Sequence, residues 1–308
     1  MEVGLLPTLN SQLVRLDRTY GSDALAVDFV HALMDTLKKF EGDRSIANLR
    51  VELLHLYDLF LASRPRMSNL SLDLQKLVLF IDEHPDATTK DLHTYLVEFL
   101  ALKRTRRKSA VEHAIELITP QTRLLVHSYS STLMALLAYC AKKDKRPKVS
   151  VAGQDQIKTD KIVRHLNEHG YTFQVVSEYA ISHVINEIDL AFFGGLTLNA
   201  REQVVLGPGS ASLISQLRSY QIACYVLLTC NKFSFWDERS ELAFREARKK
   251  SLDHFTYEKH VFSHDVLPLK SLTGVITERG VKTPEQAVQL FTDLQAWYLG
   301  NEKKIRGE

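Results

Sequence analysis

A chain of 308 residues, 45% hydrophobic and 25% charged with 13 Gly and 8 Pro, is an ordinary folded protein with material for about two cores, so disordered, collagen-like and mucin-like classes are excluded. Its 39 basic and 37 acidic residues leave a formal charge of +2, too little for a global field that grips nucleic acid or an anionic membrane. Cys140, Cys224 and Cys230 are odd in number and lack CxxC spacing, which indicates neither a disulfide framework nor a zinc site and fits a reducing compartment. The opening "MEVGLLPTLNSQLVRLDRTYG" has no basic segment followed by a long apolar one, and no run of about 18 apolar residues occurs, so a cytoplasmic protein without a membrane partner is expected.

The first third carries helical periodicity. "DALAVDFVHALMDTLKKF" places Leu25, Val27, Phe29, Val30, Leu33, Leu37 and Phe40 near one face; "ANLRVELLHLYDLFLAS" and "LDLQKLVLFIDEH" repeat the pattern, and a long helix opens at the Thr cap of "TTKDL". From "ITPQTRLLVHS" onward the period changes. The apolar runs "RLLVH", "KVSVAG", "TFQVVS", "DLAFFGG" and "CYVLLT" alternate with the helical segments "TLMALLAYCAKK", "TDKIVRHLNEHG", "ISHVINEI" and "SASLISQLRSY". Continuous apolar strands between helices predict a parallel sheet covered on both faces, the doubly wound α/β arrangement. The expected division is a helical domain over 1–118 and an α/β domain over 119–308, with a late helix started by Thr283 and Pro284. No internal repeat or low-complexity tract is visible.

In such sheets ligands sit beyond the carboxyl ends of the strands, where helix N-termini present unpaired N–H groups. Three strand exits qualify: the polar knot His127-Ser128-Tyr129-Ser130-Ser131-Thr132, the segment "GGLTLNAREQVVLGPGSAS" and "TCNKFSF". Gly207, Gly209, Ser210 and Ser212 permit close approach of the backbone to an anion, and Lys232 offers a point charge. Ser130 and Ser131 also read as plain helix caps, "GPGS" lacks the P-loop lysine, and His127 has no evident acidic partner in the sequence. The basic run "KRTRRKS" (103–109) reads as a solvated helix face and "KKDKRPK" (142–148) as an exposed turn. His165 and His169, spaced i, i+4, make at most half a metal site, so no metal or other cofactor is expected.

Together these segments resemble the family that unites the alpha, beta and delta regulatory subunits of translation initiation factor 2B with methylthioribose-1-phosphate isomerase and ribose-1,5-bisphosphate isomerase. "SRPRMSNL" (63–70) is similar to Thr-Arg-Pro-Thr-Ala-Val-Asn-Leu, "LLVHSYSS" to the strand exit written Thr-His-Ala-Tyr-Ser or Thr-His-Cys-Asn, and "YVLLTCNKF" to a strand ending near Phe-Lys-Phe. The most specific match is "HDVLPLKSLTGVITERGVKTPEQAV" (264–288), similar to a closing run of Asp-x-x-Pro, Ile-Thr-Glu-x-Gly and Thr-Pro.

The resemblance implies a helical N-terminal domain, a Rossmann-like C-terminal domain, a homodimer and a sugar-phosphate pocket at the strand ends. It also implies that the isomerases use a cysteine after the strand-end histidine and an aspartate after a later Gly pair. Here those places hold Ser128 and Leu196, and a leucine exchanges no proton. The segment usually written Thr-Glu-Ser-Arg-Pro is "AGQDQ", and Asn-Lys-x-Gly-Thr is "LGPGS", so two phosphate-pairing cations are gone.

The expected function is therefore a non-catalytic, initiation-factor-2B-like regulatory or assembly protein that binds a sugar phosphate or nucleotide through Arg64, His127, Ser128, Ser130, Ser131, Gly209, Ser210, Lys232 and Glu278, with no catalytic residue. Arg64 and Glu278 are equally explained by an interdomain ion pair or a helix cap. The competing expectation is an isomerase-like enzyme with altered residues, drawn from His127, Asp155, Lys232 and Glu278. Partners expected are a second copy, related regulatory subunits and a phosphorylated small molecule; nucleic acid is not expected.

Overall fold

The computed structural model describes residues 21–39, 45–63, 67–236 and 245–308. Arg64 lies outside them. Among the described residues four helices come first: α1 (Ser22–Lys38), α2 (Leu49–Ala62), α3 (Ser68–Glu83) and α4 (Thr89–Ile115). The buried stripe of α1 is Ser22, Ala26, Val30, Met34 and Leu37. It is rotated slightly from the predicted face, so Leu25, Phe29 and Leu33 sit at its margin, half-buried. The α4 start is set by a capping box in which the Thr88 hydroxyl accepts from Asp91 N and the Asp91 carboxylate accepts from Thr88 N.

The period change at residue 119 is real. Strands β1 (Arg123–His127), β2 (Lys148–Gly153), β3 (Phe173–Ser177), β4 (Leu190–Asn199), β5 (Gln203–Leu206) and β6 (Ala223–Leu227) follow, with α5 (Ser131–Lys142), α6 (Gln156–Glu168) and α7 (Ser210–Ser219) between them. Short β7 (Phe233–Ser234), β10 (Asp265–Pro268), β11 (Gly274–Thr277) and β12 (Gly280–Lys282) complete the sheet, and α8 (Pro284–Arg306) closes the chain. Thr283 caps α8 and Pro284 opens it, as predicted. The sheet order is β12-β11-β6-β4-β1-β2-β3, parallel except for the β11–β12 edge. β5 returns antiparallel on the far end of β4, carrying β10 with it.

Because the parallel strands are buried on both faces, neighbouring residues feed different cores. Leu125, Ala191 and Phe193 join the core that also takes Val30, Leu72 and Leu92 of the helices. Leu124, Val126 and Phe192 pack on the opposite face against Leu136, Leu137 and Ile162. The segment predicted as a helix over "ISHVINEI" is a run of 3-10 turns (Glu178–Glu187). Its β-branched Ile181, Val184 and Ile185 disfavour an α-helix, and burial of Ile181 and Ile185 holds the tighter winding. A feature without a sequence expectation is the hairpin of β8 (Arg245–Leu252) and β9 (Phe255–Phe262), which among the described residues pairs only with itself.

An aromatic cluster joins the end of the sheet to α8: the Phe235 ring stacks on Tyr298 at 4.4 Å and meets Phe291 at 4.9 Å. Beside it Trp236 Nε1 donates to the Tyr57 hydroxyl at 3.0 Å, bringing α2 to the same cluster. Removing the fully buried Phe235 ring leaves a cavity against three elements. Phe235→Ala is expected to lower unfolding free energy by about 3–5 kcal/mol, read as a shifted denaturant midpoint at unchanged slope.

Candidate functional site

The chain leaves β1 towards β2 and β3 on one side and returns to β4 on the other, so the sheet's switch point lies between β1 and β4. At its carboxyl edge the polar knot, the glycine pair of β4 and the start of α1 enclose a cleft of about 480 Å³, including its open mouth. Gly194 is required there, since a Cβ would collide with the Ser130 side chain. Leu196 lines the cleft on the β4 extension.

His127 does have an acidic partner. Its Nε2 meets Glu178 Oε1 at 2.9 Å, and its Nδ1 lies 3.1 Å from Ser210 Oγ. A carboxylate only accepts, so Nε2 carries a proton and Nδ1 pairs with the hydroxyl. The sequence Ser210–His127–Glu178 has the connectivity of a hydrolytic triad. Yet His127 and Ser210 are both fully buried, and neither lines the cleft. No substrate can reach that hydroxyl, and the arrangement instead locks β1 to α7. Gly209 completes the lock: it caps α7 at φ 92°, and a Cβ would strike the Glu178 carboxylate.

Ser128 lines the cleft with φ 73°, a left-handed conformation rare outside glycine, and its Oγ fills the space that a side chain at Gly207 opposite would need. Ser130 occupies the N-cap of α5 but makes no cap hydrogen bond. Its Oγ is buried without a partner among the described residues. Ser131 does not cap either; its hydroxyl donates to Asp23 Oδ2 at 3.2 Å. The expected helix-capping role of the knot is thus replaced by contacts across the cleft.

Lys232 is not a free point charge. Its Nζ sits 3.0 Å from Asp23 Oδ2 and donates to Gly195 O at 3.2 Å, with the residue only 4% exposed. Burial opposes ionisation of Asp23, but the Lys232 ammonium, with Lys103 and the Ser131 hydroxyl, outweighs it and holds the carboxyl below its ordinary range. Glu278 faces away from the cleft: its Oε2 accepts from Cys230 N at 2.9 Å, closing the turn after β6. Asp155 caps α6, accepting from Lys158 N at 2.9 Å. The four candidates of the enzymatic expectation therefore do not converge on one point.

Three features escaped the sequence. Asp23 and Glu178 carry no motif, and each meets its partner across a long stretch of chain. The two segments that depart from the resemblance also touch, with Gln154 Nε2 donating to Pro208 O at 2.6 Å. An amide–carbonyl bond thus joins the segments that would have brought arginine and lysine. No thiol is poised to react: burial pushes Cys140 up to about 11 and Cys224 up to about 12, and Cys230 higher still through burial and the neighbouring Glu278. His165, Glu168 and His169 cluster on α6 away from the cleft, and their backbone-directed bonds (His165 Nε2 to Met134 O, His169 Nδ1 to His165 O) give them structural work.

Behind the cleft, Lys103 of α4 pairs with the buried Asp73 of α3. Lys76, one turn on, lies over the rings of Phe99 and Tyr298 at 5.7 and 5.8 Å. Burial, and then the like charges of Arg106 and Lys103, push its ammonium down to about 8 against the pull of Asp73 and Glu278. The unfolded chain holds that proton more tightly, so the cost of Lys76 is complete below about pH 8 and vanishes as pH rises towards 10.5. Lys76→Met is expected to be more stable than the parent at pH 7 by of the order of 3 kcal/mol. Comparing the two denaturation curves cancels the thiols and phenols that titrate nearby; the advantage should shrink towards zero by about pH 10.5, and a pH-independent difference would refute the assignment.

Comparison with known proteins agrees with this architecture. The model of the initiation factor 2 subunit family, IF-2B, matches residues 18–284. The chain is 21% identical over 277 residues to a ribose 1,5-bisphosphate isomerase of Archaeoglobus fulgidus, covering 88% of each chain. It is 22% identical over 281 residues to a putative translation initiation factor eIF-2B subunit 2-like protein of Pyrococcus horikoshii, covering 90% of this chain and 96% of that one. Among solved structures, the P. horikoshii translation initiation factor eIF-2B superposes with a TM-score of 0.74 at 20% identity, over 93% of this chain and all of that one. The 5-methylthioribose 1-phosphate isomerase of P. horikoshii gives 0.71 at 14% identity, over 92% and 86%. A chain of the tetrameric eIF2B-beta2-delta2 complex of C. thermophilum gives 0.68 at 16%, over 94% and 95%. The helical start, the mostly parallel sheet and the family match agree: this chain belongs to the initiation factor 2 subunit family, IF-2B.

Proposed function

We propose that this chain is a non-catalytic member of its family, a regulatory or assembly protein that keeps a pocket for a phosphorylated small molecule at the strand ends. The observation that carries the reading is the state of the acid and base groups in the switch-point cleft. The carboxylate there, Asp23, is tied to Lys232, and Leu196 stands beside the glycine pair where a proton carrier would act. Ser128 has no base within hydrogen-bonding distance among the described residues, so its hydroxyl stays a weak nucleophile. Proton transfer between neighbouring carbons needs a general acid and base at the substrate; among the described residues lining this cleft the carboxylate of Asp23 is tied to Lys232, and the unpaired cation, Lys158, is an ammonium suited to pairing with phosphate.

Binding is supported separately. Ser130 Oγ is buried and unpartnered beside the N-terminus of α5, and a ligand phosphate would satisfy both. Assembly is supported by likeness to subunits solved within a beta2-delta2 tetramer; a homodimer, related subunits as partners, a cytoplasmic setting and a domain division near residue 118 belong to the same proposal. Ribose 1,5-bisphosphate and 5-methylthioribose 1-phosphate are the first ligands to try. The expected result is a saturable rise in melting temperature that follows RT ln(1 + [L]/Kd), without product formation. Turnover of either compound that disappears in Ser128→Ala would overturn the non-catalytic reading.

A further inference from the structure

The basic run of α4 lies only partly on an open face: Arg104 and Lys108 are exposed, whereas Lys103, Arg106 and Arg107 are half-buried. Leu100, Lys103, Arg104 and Arg107 share one side of the helix by their i, i+3, i+4, i+7 spacing, and with Arg106 they wall a groove against Val27 and Asp28 of α1. The groove encloses about 960 Å³, mouth included, and touches the strand-end cleft at Asp23 and Ser131. Its charges are unbalanced. Lys103 is committed to Asp73 and Asp23 to Lys232. That leaves three guanidinium groups facing one exposed carboxylate, Asp28, and no described acidic side chain pairs with any of the three.

A solvated helix face would let these arginines spread into water. Arg106 and Arg107 are instead half-buried in a concavity, and the positive potential reaches Lys76, whose ammonium Arg106 and Lys103 help to destabilise after burial itself. Three like charges held together against a single carboxylate are unfavourable unless a further anion completes them. Guanidinium groups suit phosphate, since each presents paired N–H donors to two oxygens. Val27 and Leu100 give the groove an apolar wall, which a bare inorganic ion would not use.

We propose that this groove between α1 and α4 is a binding site for a small molecule carrying at least two phosphate charges, held by Arg104, Arg106 and Arg107 with its organic body on Val27 and Leu100. The site adjoins the strand-end pocket of the preceding reading, sharing Asp23 and Ser131, but its three arginines lie outside that pocket and the proposal does not depend on that reading. An extended nucleic acid fits less well, because the groove is concave and the net charge of +2 supplies no wider footprint.

The test uses the full chain, with ADP and pyrophosphate as probes in calorimetry at constant ionic strength. Saturable binding is expected, with ADP at least as tight as pyrophosphate. Arg106→Gln/Arg107→Gln should weaken both about tenfold or more, while the charge-retaining Arg106→Lys/Arg107→Lys loses less. Ser128→Ala/Ser130→Ala, which alters only the strand-end cleft, should leave ADP and pyrophosphate affinity unchanged, even if ribose 1,5-bisphosphate proves not to bind there. Unaltered melting temperatures confirm that the arginine variants are folded. The proposal is overturned by absence of saturable binding to the parent protein, by equal affinity in the glutamine variant, or by equal loss in the serine variant. Binding of a single-stranded RNA that ADP does not displace would also overturn it, in favour of a nucleic-acid surface.

Discussion

One buried ion pair, Asp23 with Lys232, organises the functional edge of this molecule. Asp23 stands at the start of α1 and Lys232 on the turn after β6, while Ser131 of α5 donates to the same carboxylate and Gly195 of β4 accepts from the same ammonium. Four elements thus meet at two opposite charges, and the helical part of the chain is fastened to the carboxyl edge of the sheet. Removing one partner would leave the other buried and uncompensated, which is why such a pair is costly to break even where its net contribution to stability is small. The cleft is shaped by that constraint, and the pair holds both groups in one state.

A second lock lies behind the first. His127 is gripped by Glu178 and Ser210, Gly209 has no side chain because Glu178 occupies the space, and Gly207 has none because Ser128 does. The positive φ of Ser128 is paid for by this surrounding packing, as strained backbone at ligand edges commonly is. The result is a rigid rim in which Ser128 and Ser130 line the cleft and the Ser130 hydroxyl is buried beside the N-terminus of α5. Rigidity of this kind favours recognition of a fixed charge pattern and requires no moving proton.

How much of this could be read beforehand depends on the range of the interaction. Strands β1 and β2 match their predicted bounds residue for residue, because a short apolar run between turn residues has few other fates in a parallel sheet. The Thr88 and Thr283 caps were legible for the same local reason. Glu178 was not, since it sits 51 residues from His127 and nothing in its own neighbourhood marks it. Lys232 is legible as a cation, but its pairing is not, because its counter-ion Asp23 belongs to another part of the chain. Leu196 was informative for the opposite reason: a missing acid is visible in one dimension once the Gly pair before it has been aligned with a pattern. The hairpin of β8 and β9 escaped because its strands are polar and charged, the composition least like the buried strands elsewhere.

The basic run 103–108 shows most clearly what a linear reading leaves out. Its charge is plain in the sequence, and a solvated face was the economical reading of it. What the fold adds is concavity and the prior commitment of the nearby acids: Asp73 to Lys103 and Asp23 to Lys232. Each of those pairings removes a counter-ion that the remaining arginines would otherwise use. The buried salt bridges and the unbalanced groove are therefore consequences of one arrangement, in which Asp23 of α1 and Asp73 of α3 are already paired with Lys232 and Lys103. The cleft, whose carboxylate Asp23 is committed to Lys232, lies beside a groove whose arginines have no acidic partner among the described residues, and that contrast joins the sequence departures at Ser128 and Leu196 to the charge pattern of α4.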